Sequence, residues 1–315
     1  MNVADVRSEE PVSGTFLVAA VEVRTTRNGD AYLRMTLRDQ LGESIEALFF
    51  RVSEAVIAAV EAGQTYEVEG QGDEWRGHLN VKLSGIVRST ETWDSTALLP
   101  RSDVPPDQSR ESIDAALASI GHPAIRAVVS AVLRSDLVAE RLTVWPAAKI
   151  RHHAWVGGLA EHMVEMLSLA ARVAEIYPDL DRDLLVAGVL LHDLGKLLEL
   201  EVSADFGYTS EGNLEGHMAQ GVRLLDQALK DVECPAETAM LLRHLVLSHQ
   251  GTREFGAVVE PQIPEAIALH YIDQLSSQIR PAIEDVRKTR ARGTFFRGPT
   301  SMRHLYAPEV DGTSA

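Results

Sequence analysis

The hydrophobic period of this 315-residue chain changes once, and the change divides it in two. From residue 13 to about residue 90, apolar side chains recur at every second position, the spacing of strands with one buried face. From Ser112 to about Arg292 they recur at every third or fourth position, the spacing of helices that bury one stripe. Between these parts, residues 91–111 carry "ETWDSTALLPRSDVPPDQSR", with three prolines and no period, and read as a linker. Two periods require two kinds of packing, so a multidomain chain is expected: a small all-β unit followed by an all-α bundle. No internal repeat and no low-complexity tract interrupts this plan.

The β part predicts its own topology. "AYLRMTLRD" alternates strictly: Leu33, Met35 and Leu37 face one way, and Tyr32, Arg34, Thr36 and Arg38 face the other. An Asn-Gly turn in "RNGDAY" stands just before it. "SIEALFF", "QTYEVEGQG" and "HLNVKLSGIV" read as further short strands. "VSEAVIAAVEAG" interrupts them with helical spacing and a glycine, Gly63, that can end the helix. Strand, hairpin, strand, helix, strand, strand is the pattern of a five-stranded Greek-key barrel, the OB-fold; a small β-sandwich is the alternative. The barrel is expected over residues 1–90.

Composition narrows the partners. The formal charge of −16 excludes a globally basic nucleic-acid coat and leaves room only for a local basic groove. Cys234 is the single cysteine, so no intrachain disulfide forms, which fits a reducing compartment. The opening "MNVADVRSEEP" lacks a basic-then-apolar pattern, and no apolar run approaches the 18 residues of a membrane span. A cytoplasmic protein with no membrane partner is expected.

The helical part carries most of the eleven histidines. His162 lies in "GGLAEHMVEML", His192 and Asp193 in "LLHDLGK", His217 in "NLEGHMAQGV", His249 in "LLRHLVLSHQG" and Asp273 in "IALHYIDQL". Each sits among apolar residues at helical spacing and is expected to point inward. One buried imidazole is most often an ordinary core residue with a backbone partner. Six such groups on five helices are different, because burying them separately would cost several kcal/mol in desolvation. Gathering them around a cation offsets that cost, and imidazole nitrogen with carboxylate oxygen suits Mn²⁺, Fe²⁺, Zn²⁺ or Co²⁺. Gly195 is expected to let the chain turn away after the apolar helix. Lys196 either neutralises a phosphate or is a solvated lysine at a helix end.

The ordered set His…His-Asp…His…His…Asp, with "HDLGK" at its core, resembles the HD superfamily of metal-dependent phosphohydrolases. The resemblance implies an HD domain over residues 112–292. It implies that His162, His192, Asp193 and Asp273 hold one metal, and that Asp193 bridges to a second held with His217 and His249. Asp193 and Lys196 are then the catalytic groups. One departure stands in "SHQG", where the related exonuclease pattern reads Ser-His-His-Gly: Gln250 is a poor metal ligand, but it can bind phosphate or water. His244 is a substitute ligand or a core residue. His152 and His153 precede the first ligand within reach of a substrate, and His270 lies close to Asp273 in sequence.

The barrel indicates which phosphoester. On an OB-fold, the face of the second and third strands binds single strands by stacking and phosphate contacts. Here Tyr32, Arg34 and Arg38, with Trp75, Arg76 and Lys82, are the expected substrate-binding set. Residues 1–90 hold nine Lys/Arg against fourteen Asp/Glu, so any affinity is local. From Val286 to Tyr306 there are six Lys/Arg and no acid, with Phe295, Phe296 and Tyr306 interleaved. Arg297 in this segment is expected to touch the strand, and residues 293–315 form a basic, aromatic end. A barrel joined to an HD domain is similar to the YhaM-type 3′-to-5′ exoribonucleases, through "RNGDAYLRMTLRDQLGE", "HHAWVGGLAEHMVEML", "LLHDLGK", "GNLEGHMAQGV", "LSHQG" and "LHYIDQLSS". The resemblance implies removal of nucleotides from the 3′ end of single-stranded RNA, and also of DNA. It implies a divalent metal, Mn²⁺, as one or two ions, and a homo-oligomer. An HD phosphohydrolase of small nucleotides and a non-catalytic single-strand binder are the alternatives.

Overall fold

The computed structural model describes residues 1–75, 78–289 and 292–309. It separates into two compact units, Met1–Pro100 with Val202–Asp205, and a second that begins at Arg101. The first unit is a closed barrel of strands β1 (Pro11–Thr25), β2 (Ala31–Arg38), β3 (Ser44–Phe50), β4 (Gln64–Trp75) and β5 (His78–Arg88), in the order β1-β2-β3-β5-β4. Helix α1 (Glu54–Ala59) connects β3 to β4. This order and this helix make the unit an OB-fold barrel rather than a sandwich. Closure depends on β1, which pairs with β4 along its first half and with β2 along its second. A bulge between Val18 and Ala20 turns it from one partner to the other. Leu33, Met35 and Leu37 fill the interior with Phe16, Val68 and Val81, as their alternation predicts.

The second unit is helical. It contains α2 (Pro106–Ala118), α3 (Pro123–Leu133), α4 (Asp136–Arg141), α5 (Gly158–Ile176), α6 (Arg182–Leu191), α7 (Lys196–Glu199), then hairpin β6 (Leu200–Val202) and β7 (Phe206–Tyr208). Helices α8 (Ser210–Asp231), α9 (Ala236–Ser248) and α10 (Pro264–Lys288) follow, and hairpin β8 (Thr294–Arg297) and β9 (His304–Ala307) comes last. The tip of the β6–β7 hairpin groups with the barrel unit. Helix α6 is the axis: every residue from Leu184 to Leu191 is buried, and α2, α3, α5, α9 and α10 pack against it. Asp181 caps its start by accepting the Leu184 N–H at 3.0 Å. A helix that is apolar all round must sit in the middle of a bundle, and it therefore delivers whatever follows Leu191 to the centre of the unit. Among the described residues no helix is long and apolar enough to cross a membrane.

The two hairpins were not expected from helical spacing. The second is held by Asp285 of α10, a buried carboxylate that accepts the N–H of Thr300 at 3.1 Å and of Ser301 at 2.7 Å. Replacing it, Asp285→Ala, should speed amide exchange at Thr300 and Ser301 and cost about 1–3 kcal/mol, the scale of hydrogen bonds to a buried charged acceptor. Unchanged protection at both amides would show that Asp285 does not hold the turn.

Candidate active site

Five helices bring their polar side chains to one point. His192 is the C-terminal cap of α6 and His249 that of α9. Two helix C-termini, each with a partial negative charge, therefore end at the same place and favour a cation there. His162 comes from α5, and Asp273 and Ser276 come from α10. His217 comes from the middle of α8, where Gly216 adopts φ 74° and breaks the helix in two. That positive φ is open to glycine at little cost. It frees the His217 N–H, which donates to Glu199 Oε1 at 3.0 Å.

Asp193 is the hub. Its Oδ2 lies 3.4 Å from His192 Nε2 and 3.8 Å from His162 Nε2. Its Oδ1 lies 3.6 Å from His217 Nε2 and 3.7 Å from His249 Nε2. Asp273 Oδ1 is 3.4 Å from His162 Nε2. The other ring nitrogens are engaged behind the site: His192 Nδ1 with Val189 O at 2.9 Å, His249 Nδ1 with Val246 O at 2.8 Å, His217 Nδ1 with Glu199 at 3.2 Å and His162 Nδ1 with Ser276 Oγ at 3.0 Å. A carbonyl only accepts, so His192 and His249 carry their protons on Nδ1 and turn the Nε2 lone pairs to the carboxylate.

Lone pairs aimed at an anion need a positive charge between them. His162 Nε2, His192 Nε2 and Asp193 Oδ1 are buried and have no hydrogen-bond partner among the described residues, a condition that native interiors avoid. His162, His192 and Asp193 form one group whose ligand atoms lie within 4.8 Å of one another; Asp193, His217 and His249 form another. Nitrogen and carboxylate donors in this mixture fit a divalent metal, and the hydrogen bonds behind the rings fix their orientation as ligands. Burial lowers His162 and brings His249 down to about 3, so both are neutral donors at neutral pH. Burial would raise Asp193, but Lys196 and His192 hold it well below the carboxylate range. The same cluster raises Lys196 and His192 against the opposing effect of burial, as expected where negative charge collects positive charge.

Lys196 is not a solvated helix-end residue. It is buried, and its Nζ donates to Asp193 Oδ2 at 2.6 Å. The chain does turn at residues 192–195, but with φ −60° Gly195 is not needed there for its conformational freedom. It is small because α7 crosses α8 there: a Cβ on Gly195 would collide with the carbonyl oxygen of His217 and lie 2.7 Å from Gly221 N.

The remaining expected residues divide. Gln250 is beside the cluster, its Nε2 lying 3.2 Å from His249 Nε2. His244 is elsewhere: its Nε2 accepts the Gln262 N–H at 3.0 Å. His270 supports the site by donating from Nδ1 to the His249 carbonyl at 2.9 Å. His153, expected to touch substrate, is fully buried at φ 52°, with Nε2 3.4 Å from Glu165. Burial would raise Glu165, but His153 and Arg280 bring it down to about 2. His152, its neighbour, is the one that reaches the open space beside the cluster. That space is a cavity of about 390 Å³. Lys196, Asp273, His152 and Gln250 line it from the cluster, Gln274, Ser277 and Gln278 from α10, and Thr300, Ser301 and Arg303 from the β8–β9 turn. Arg151 and Phe255 also line it. Arg297, expected here, is exposed on β8 and does not line it; the turn after it does.

On the barrel, the expected cations among the described residues are already paired. Arg34 Nε donates to Glu46 at 2.6 Å, and Lys82 lies 2.9 Å from Asp73. Arg38, expected on the open face, is buried, because the alternation of β2 fails at its end. Its guanidinium bonds Ser44 Oγ at 3.0 Å, Ala204 O at 2.8 Å and Asp205 at 3.3 Å. Tyr32 stacks on Phe50 with centroids 5.0 Å apart, a partner the alternation of β2 alone does not reveal. Arg76 and the Trp75 side chain lie outside the described residues.

The chain is similar to known proteins. The HD domain family matches residues 159–278, a span that contains all six cluster residues. The 3′-5′ exoribonuclease YhaM of Bacillus velezensis is 35% identical over 272 residues, which is 86% of this chain and 86% of that protein. The chain belongs to the YhaM family of 3′-5′ exoribonucleases. The YhaM protein of Bacillus subtilis strain 168 matches with the same identity and coverage. Among solved structures, the second OB-fold domain of replication protein A from Methanococcus maripaludis aligns at 15% identity, over 30% of this chain and 97% of that one, with a TM-score of 0.25.

The crossing at Gly195 gives a direct test of how this family's site is built. Gly195→Ala should force α7 and α8 apart and cost about 1–3 kcal/mol, the scale of overpacking. A thermal melt should show unfolding several degrees lower; an unchanged melting temperature would mean that the two backbones do not meet there.

Proposed function

We propose that this protein is a metal-dependent exonuclease that shortens single-stranded RNA, and single-stranded DNA, from the 3′ end. The observation that carries the reading is the sharing of Asp193: each carboxylate oxygen faces its own pair of imidazole nitrogens, beside a polar cavity, in a chain related to 3′-5′ exoribonucleases. In this reading His162, His192, Asp193 and Asp273 hold one divalent ion, and Asp193, His217 and His249 hold a second. The proposed ion is Mn²⁺; mixed nitrogen and carboxylate donors accept it as they accept Fe²⁺, Zn²⁺ and Co²⁺. Divalent ions so placed supply Lewis acidity and lower the pKa of water.

The chain's own residues do the rest. Lys196 keeps Asp193 ionised and adds positive charge where phosphate oxygens arrive. Gln250 and His152 face the cavity as neutral hydrogen-bonding groups. Hydrolysis joins a water oxygen to phosphorus and breaks the bond from phosphorus to the 3′-oxygen of the preceding nucleotide. That oxygen leaves with a proton as the new 3′ end, and a nucleoside 5′-monophosphate departs. The barrel binds the strand through Tyr32, Arg34 and Lys82, with Trp75 and Arg76 in the same role. A cytoplasmic location goes with this reading, on the strength of a single cysteine.

Incubation of 5′-labelled single-stranded RNA with Mn²⁺ should give a ladder that shortens from the 3′ end and is absent in EDTA. Phosphate release from dNTPs or cyclic nucleotides without a ladder would instead select a small-nucleotide phosphohydrolase. Asp193→Ala should lower turnover by at least about 10²-fold, the scale of losing a preorganised electrostatic group, while strand binding persists. Retained turnover would sink the metal assignment.

The protein is also proposed to be a homo-oligomer, through α10. Ile267, Tyr271, Leu275, Ile279 and Ile283 stand four residues apart and are between 43% and 68% exposed. With Ile176 and Tyr177 at the end of α5 they offer a largely apolar surface. A row at four-residue spacing is a ridge that interdigitates with a copy of itself, so a second copy of this chain is its occupant. The double variant Tyr271→Glu with Leu275→Glu should elute as a monomer in light-scattering chromatography, where the wild type does not. A wild-type monomer, or an unchanged variant mass, would remove the ridge from any self-association.

A further inference from the structure

The cavity beside the cluster has one aromatic wall that the cluster does not use. Phe255 lines it and is 63% exposed. It sits on a 3-10 turn, Arg253–Phe255, that begins four residues after His249. The turn is rigid by its hydrogen bonds: Phe255 N–H and Ala257 N–H donate to Thr252 O, each at 3.1 Å, Gly256 N–H to Arg253 O at 3.0 Å, and Val258 N–H to Leu247 O at 3.2 Å. The backbone that carries Phe255 is thus tied to the helix that ends at His249, while the ring itself is exposed.

Another part of the lining is a polar chain. Arg303 donates to Gln278 Oε1, and Gln278 Nε2 donates to Gln274 Oε1. The direction of this chain leaves the Gln274 amide N–H groups as donors. A cavity of about 390 Å³ with cations, neutral amides and one exposed ring matches the three parts of a single nucleotide: phosphate, sugar and base.

Resting on the exonuclease reading above, we infer that Phe255 is the base platform of this cavity: the base of the 3′-terminal nucleotide stacks on its ring while the Arg303–Gln278–Gln274 chain meets the sugar and phosphate oxygens. Every base has a π face, so the platform accepts all four and supports removal of successive nucleotides without regard to sequence. It also ties grip to chemistry, since the ring and His249 are carried by one short, hydrogen-bonded stretch.

The test is a cycle that deletes the base and the ring separately. The substrates are a 5′-labelled single-stranded RNA and the same strand with an abasic 3′-terminal nucleotide, each with Mn²⁺. Phe255→Ala should lower kcat/KM for the intact strand by roughly 10- to 100-fold through KM, the range of base–aromatic stacking, and Phe255→Trp should restore it. Wild type should lose a similar factor on the abasic end, and Phe255→Ala should lose nothing further there. Equal losses from Phe255→Ala on both ends would overturn the platform, as would a failure of Phe255→Trp to rescue. If the wild-type protein shortened neither strand, the exonuclease reading itself would fall and this subsite with it.

Discussion

A carboxylate buried among four imidazoles is the condition on which the second unit is built. Asp193 has almost no exposure and faces imidazole nitrogens from four different helices. Such an arrangement is stable only with positive charge at its centre and with every ring held from behind. The fold meets the second requirement with backbone carbonyls for His192 and His249, with Ser276 for His162 and with Glu199 for His217. Lys196 meets part of the first. The buried, apolar run Leu184–Leu191 of α6 follows from the same need, because it carries the polar pair that follows it to the centre of the bundle.

That geometry sorts what could be read along the chain from what could not. The six cluster residues were legible because each interrupts an apolar stripe, and helical spacing shows on which face it points. The barrel was legible because period-two alternation and the interrupting α1 leave few topologies open. Arg38 was misplaced because alternation assumes that a strand stays half-exposed to its end, whereas residues 204–205, distant in sequence, bury its last side chain. His153 was misplaced because neighbours in sequence need not share a surface: a left-handed φ at His153 turns its ring to Glu165, and only His152 reaches the cavity. Gly195 stands in the expected turn, but the constraint that requires a glycine was not visible. A glycine in sequence cannot show whether it serves a turn or a close approach, and here the second backbone comes from residues 217–221. Phe255 gave no signal at all, since one aromatic in a short loop has no period to break.

Charge sets how such a protein can hold a polyanion. With a net charge of −16, long-range attraction to RNA is absent, and the barrel cations Arg34 and Lys82 are each balanced by a carboxylate. Counterion release, the usual source of affinity for nucleic acids, is therefore reduced at these two positions. What remains is short-ranged: the stacked Tyr32–Phe50 pair, and within the cavity a ring, two arginines, a lysine and a row of amides and hydroxyls. In the proposed reading, such groups suit a flexible strand whose bases are free to stack rather than a duplex whose base faces are covered, and divalent ions held at the cluster would supply the concentrated positive charge that the acidic surface lacks.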